Sequence, residues 1–180
     1  MNILVDNKKV NFTEDDFPML ISGADKSGSS FFSISLLATL FKSGMKVLLF
    51  SAYPMAKEEF RKQIGDNEEN TIIIDSGEEQ ALIDSVENTP NLSERIVLIK
   101  NIDTYSSKLF DVVKNLKLII FSGDLDKCQF ADELIKKEFA TKIFFSQSEK
   151  FPQEEPINLA KYCGKIISEK HEGIISLGNN

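Results

Sequence analysis

Along the chain, short apolar runs alternate with stretches whose apolar residues recur every three or four positions. "NILV" (2–5) and "KVNF" (9–12) flank a turn and read as a hairpin. "PMLIS" (18–22) reads as a buried strand. Residues 30–43 carry Phe31, Ile34, Leu37, Ala38 and Phe41 at helical spacing, with Gly44 just past the end. That spacing puts Phe31 in the interior. "KVLLFS" (46–51) is apolar on both faces, as strands of parallel sheets are. Further strands are expected at 71–75, 95–100, 117–122 and 142–146. Further helices are expected at 55–64, 77–88, about 105–115 and 129–138. "GKIISEK" and "GIISL" surround "HE" and predict a closing antiparallel hairpin. "EKFPQEEP" (149–156) reads as an exposed loop. Such alternation predicts an α/β sandwich with a mostly parallel central sheet and a β-hairpin at each end, as one domain over 1–180.

The charge balance narrows the partners. Net charge is −7, and the only arginines are Arg61 and Arg95. Broad binding to a phosphate backbone needs clustered Lys and Arg, so no clear nucleic-acid surface is expected. Lys108, Lys114 and Lys117 read as a solvated helix face. Cys128 and Cys163 lack metal-ligand spacing and are too few for a disulfide framework. No apolar run reaches the roughly 18 residues of a membrane span. "MNILVDNKKV" has no signal-peptide pattern. A cytoplasmic protein with reduced thiols is the expectation, tied to a membrane only through a partner or a longer parent chain.

Candidate chemistry centres on "GADKSGSS", Gly23 to Ser30. A phosphate-binding loop follows G-x-x-x-x-G-K-[ST] between a strand and a helix. Gly23 and Gly28 keep that spacing, with Ala24, Asp25, Lys26 and Ser27 between them. Ser29 stands where the lysine belongs, and the nearest lysine is Lys26 on the loop crown. Ser30 keeps the hydroxyl position associated with Mg²⁺. Backbone N–H groups at such a turn, with the helix N-terminus behind them, cradle phosphate. Ser29 and Ser30 are also placed to cap the helix.

A second degenerate element follows. "IVLIKNID" (96–103) resembles the acidic strand end of RecA and AAA+ NTPases, the Walker B position. The resemblance puts Lys100 where an Asp holds Mg²⁺ and Asn101 where an acid activates water. An ammonium does not ligate a metal, and an amide is not a general base. Lys100 is expected either to snorkel out to solvent, to pair with Asp25, or to take the cation site itself. Asp103 is expected to cap the following helix. Ser122, ending "KLIIFS", takes the place of the polar sensor residue in those families.

The order of elements from "NILVDNKKV" through "GADKSGSS", "RIVLIKNID" and the closing hairpin is similar to FtsK/SpoIIIE/HerA-type motor domains. It is most similar to the C-terminal modules of type VII secretion ATPases. The resemblance implies a RecA-like P-loop sandwich and a site for ATP or ADP with Mg²⁺ whose hydrolysis, and even binding, is in doubt. It also implies a regulatory or partner-contact role beside other subunits or domains of a larger motor, or a protein substrate. An active ATPase is the alternative. It uses Lys26 as the displaced cation, Asp75, Asp103 or Asp124 as replacement acids, and Arg61 or Arg95 as an arginine finger. "DKSGSSF" also resembles the "P-K-S-G-T-T-W" loop of cytosolic sulfotransferases, which implies that Lys26 contacts a phosphosulfate donor. That family's tryptophan-containing cofactor motif is missing, and the single histidine, His171, falls in the terminal hairpin turn.

Overall fold

The structure, a computed structural model, describes residues 2–65, 69–74, 76, 78–146 and 163–178. Asp75 and the 149–156 loop lie outside the described residues. Ten strands form one sheet. They are β1 (Asn2–Val5), β2 (Lys8–Val10), β3 (Met19–Ser22), β4 (Lys46–Ser51), β5 (Thr71–Ile73), β6 (Arg95–Lys100), β7 (Ile119–Gly123), β8 (Thr141–Phe144), β9 (Gly164–Ser168) and β10 (Glu172–Gly178). Their order across the sheet is β2-β1-β10-β9-β8-β3-β7-β6-β4-β5. The stretch from β8 to β5 is parallel, and its central strands are buried on both faces. Val47 to Phe50, Val97 to Ile99 and Ile119 to Phe121 are fully buried, which is why these runs are almost wholly apolar.

Two helical layers cover the sheet. One face packs α1 (Ser29–Lys42) and α2 (Pro54–Ile64) over Met19, Ile21, Val47, Leu49, Leu98 and Ile120. The other packs α3 (Glu79–Asn88), α4 (Ser107–Val113) and α5 (Ala131–Lys136) over Leu20, Leu48, Phe50, Val97, Ile99 and Phe121. This is the α/β, RecA-like sandwich expected from the sequence. Among the described residues no helix is long and apolar enough to cross a membrane.

The two expected hairpins are present. β1 also pairs with β10 and β9 with β8, so both extend the main sheet as an antiparallel wing. The first hairpin is tighter than "9–12" implies. Asp6 and Asn7 both take positive φ (48° and 65°), the signature of a two-residue turn that sets Lys8 opposite Val5. The helix expected at 105–115 is shortened for a similar local reason. Asn101 is left-handed (φ 64°) and opens a 3₁₀ turn at Ile102–Thr104, and Ser106 then caps α4 by accepting from the Lys108 N–H.

The phase of α1 differs from the expectation in one respect. Phe31 is 38% exposed at the helix start, while Phe32 is buried with its ring 5.1 Å from that of Phe145. The helix is squeezed between the sheet and α2, so it is apolar around most of its circumference. A single three-four periodicity therefore does not fix which phenylalanine points inward.

Candidate phosphate-binding site

β3 runs directly into the glycine loop at the carboxyl edge of the sheet. Its neighbours there are β8 on one side and β7 on the other, while the chain leaving α1 crosses to β4 beyond them. A reversal of strand order of this kind opens a crevice suited to ligands. The loop is pinned at its base. The Gly23 N–H donates to the Gly123 carbonyl (3.2 Å), and the Ala24 N–H donates to Ser146 Oγ (2.8 Å). A Cβ on Gly23 would meet Ser27 Oγ, and would sit 2.9 Å from both Phe145 Cβ and Ser29 Cβ. The close approach of these walls requires glycine.

The crown then folds back through left-handed residues, Lys26 (φ 66°) and Gly28 (φ 101°). Among the described residues the N–H groups of Lys26 and Gly28 have no acceptor. These amides, with the open first turn of α1, form a concave donor set of the kind that receives anions. The two serines do not cap the helix. Gly28 is the N-cap, with no side-chain hydrogen bond, because Ser29 and Ser30 already lie inside the first turn. Ser29 instead braces the loop by donating to the Gly23 carbonyl (3.4 Å). Replacing Gly28 with alanine forces a Cβ into the left-handed region and should cost about 1–2 kcal/mol. A drop in the urea midpoint at unchanged slope checks this.

Beside the loop lies a cleft of about 440 Å³, bounded by the ends of β6 and β7. The glycine loop from Gly23 to Lys26 and Gly28 to Ser30 forms one wall. Phe31, Tyr53, Asn101, Asp103, Gly123 and Asp124 form the others. The sequence-predicted loop and the Asn101 end of β6 are therefore brought together.

Lys100, the last residue of β6, is 2% exposed. Its Nζ donates to Ser30 Oγ at 2.8 Å. Burial pushes the ammonium down to about 8, and the nearby Asp103 charge partly opposes this. The snorkelling expectation is thus corrected: the side chain is buried, between register neighbours Ser51 and Ser122 that are buried too, and its ammonium is held by Ser30. The pairing with Asp25 is also corrected. Asp25 is exposed on the crown and accepts from Lys127 (3.4 Å). Of the three alternatives, the ammonium sits against the hydroxyl that the resemblance assigns to the metal.

The acids are distributed differently from the expectation. Asp103 does not cap α4. Its Oδ1 accepts from the Asp124 N–H (3.1 Å) and ties the ends of β6 and β7 together. The cap is completed by Glu79 of α3, which accepts from Ser106 N–H (3.1 Å), Ser106 Oγ (2.6 Å) and Leu109 N–H (3.0 Å). Asp124 accepts from the Asp126 N–H (3.2 Å) and pairs with Lys127 (3.0 Å). Ser122 does not line the cleft. It is fully buried, and among the described residues its Oγ has no hydrogen-bond partner. Asn101 Oδ1 accepts from Ser51 Oγ (2.9 Å). Arg61 and Arg95 are absent from the lining, and Arg95 sits at the opposite end of β6, where it donates to the Asn70 carbonyl (3.2 Å). His171 lies in the β9–β10 turn with its ring 6.1 Å from that of Phe12, remote from the loop.

A divalent cation does not fit beside Ser30. That position already holds a positive charge with no lone pair to offer. Among the described residues no three His, Cys, Asp or Glu converge to hold a metal. A phosphate group fits the loop itself better, because the acceptor-free Lys26 and Gly28 amides and the Lys100 ammonium behind Ser30 are donors.

Tyr53 and Met55 were missed by sequence reasoning. They are 53% and 79% exposed. With Phe31 they flank a second groove of about 450 Å³ between α1 and α2, which opens beside the first. The available signal was the "SAYP" turn. It ends a buried strand on the same sheet edge as the glycine loop.

No known protein-family model matches the chain, and no curated protein matches it either.

Proposed function

We propose that this chain is a RecA-like P-loop module that binds the phosphates of a nucleotide without hydrolysing it. In this reading it serves as a regulatory or partner-contact module of a secretion or translocation motor. One observation carries the non-hydrolysing half of the reading. Lys100 donates to Ser30 where a metal would sit, and an amide, Asn101, follows it where a water-activating acid would sit. The binding half rests on the acceptor-free amides of Lys26 and Gly28 at the start of α1. The partner-contact half is supported by Phe31, Tyr53 and Met55, exposed apolar side chains grouped at the mouth of the cleft.

An active ATPase is the second reading, and Asp103 and Asp124 on the cleft wall favour it. Both carboxylates already accept from backbone N–H groups, and Asp124 is also paired with Lys127. Engaging a metal or a water there requires breaking those contacts.

Calorimetric titration with ATP and ADP tests the binding. Among the described residues the Lys26 side chain makes no hydrogen bond or ion pair, and it stands exposed on the crown. Lys26→Ala should weaken ATP affinity by about tenfold, the scale of one charge-assisted hydrogen bond. The same affinity in wild type and Lys26→Ala would place the phosphates elsewhere. No heat and no melting shift with either nucleotide would end the nucleotide reading and leave the partner surface.

A further inference from the structure

We propose that Lys100 takes the place of the divalent cation, so that the cleft binds a nucleotide's polyphosphate without a metal. This rests on the nucleotide reading above and specifies its chemistry.

The argument begins with charge. In an ordinary site of this architecture a divalent cation is held by one strand-end carboxylate, and the pair carries a net charge of about +1. A lone ammonium at that strand end carries the same net charge. It does so as a fixed part of the chain. The substitution of Asn101 for an acid keeps the balance, since no second negative charge is introduced at the turn.

Geometry gives the ammonium a direction. An ammonium has three N–H donors. Among the described residues Lys100 Nζ uses one, on Ser30 Oγ at 2.8 Å, and makes no hydrogen bond to a carboxylate. Lys100 itself borders the groove between α1 and α2, and Ser30, at the start of α1, lines both that groove and the loop cleft, so the ammonium reaches the cleft beside Ser30. A buried cation hydrogen-bonded only to a hydroxyl, next to a helix start whose loop amides also have no acceptor, is a donor set to which, among the described residues, no anion is hydrogen-bonded. A phosphate oxygen supplies the missing acceptor to both sets at once. The nearby carboxylates do not serve as that acceptor. Asp103 acts on the ammonium through its charge but is hydrogen-bonded to the Asp124 N–H, while Asp124 and Asp25 pair with Lys127. The low exposure of Lys100 shields its charge from salt, so the interaction is stronger than one made by a surface lysine.

A resident ammonium and a metal carried in by the nucleotide compete for the same oxygens. Free nucleotide is therefore the preferred ligand, and Mg²⁺ opposes binding.

The test is calorimetric titration of the full chain with ATP in excess EDTA and again in excess MgCl₂. The expected result is binding in EDTA that weakens by up to about tenfold in Mg²⁺, and an unchanged affinity would contradict the competition. Tightening by Mg²⁺ of about tenfold or more would overturn metal-free binding and assign the metal to Asp103 and Asp124. Absence of binding in both conditions would overturn the nucleotide reading itself, a different outcome. Lys100→Asp supplies a second arm, with folding checked by melting without ligand. It should lose binding in EDTA and regain it with Mg²⁺. Binding in EDTA equal to wild type would show that the ammonium contributes nothing.

Discussion

Lys100→Met is expected to raise the stability of the ligand-free protein while lowering its affinity for ATP. The wild-type fold keeps a charged ammonium 2% exposed with a neutral hydroxyl as its hydrogen-bond partner. Burial holds the group at about 8 instead of its ordinary 10.5. That depression corresponds to a folding penalty on the order of 3 kcal/mol at neutral pH, at 1.36 kcal/mol per unit. Methionine has a similar length and no charge, and Ser30 is exposed enough to turn to water. The melting temperature should therefore rise by roughly 5–10 °C for a chain of this size.

The pH dependence has a definite sign. Below about 8 Lys100 is protonated in both states, and this group contributes no slope. Between about 8 and 10.5 the unfolded chain binds the extra proton, so wild-type stability climbs with pH relative to Lys100→Met, and the difference between them shrinks. Over the same window ATP binding weakens, because the deprotonated amine no longer offers a positive charge. Paired urea melts at pH 7 and pH 10 check the first statement. A wild type less stable relative to Lys100→Met at pH 10 than at pH 7 would contradict it.

Phe32→Ala and Phe31→Ala should differ greatly despite their adjacency. Phe32 is 1% exposed and packs on Phe145 beneath the loop, so truncation should cost about 3–5 kcal/mol. Phe31 is 38% exposed at the mouth of the cleft, and its truncation should cost about 1 kcal/mol or less. Phe145 also forms a wall against Gly23, so loss of Phe32 loosens the base of the loop and should weaken ligand binding as well. Chemical denaturation of both variants distinguishes them, and equal losses would mean that the helix phase is wrong.

Much of the fold was legible because burial writes itself into apolar runs. "KVLLFS" and "RIVLIK" lie in central parallel strands, and β4 and β6 match their expected spans. The strand–loop–helix setting of "GADKSGSS" was likewise legible, since glycine spacing and serine-rich helix starts are local properties. What failed depended on tertiary surroundings. The hairpins gave no sign that β1 would pair with β10, because pairing between distant strands leaves no local pattern. The inward turn of Lys100 depends on a central place in the sheet between Ser51 and Ser122, 49 and 22 residues away, and on Ser30, 70 residues away. Asp103 looked like a helix cap by position. Only the spatial closeness of β6 and β7 brings it to the Asp124 N–H.

The most direct test of the non-hydrolysing nucleotide site is phosphate release from ATP fully bound by excess protein, in EDTA and in MgCl₂. ATP that stays bound and intact in both conditions is the expected result. Phosphate release in MgCl₂ that vanishes in Lys26→Ala would contradict it, and would make the displaced lysine part of a working ATPase.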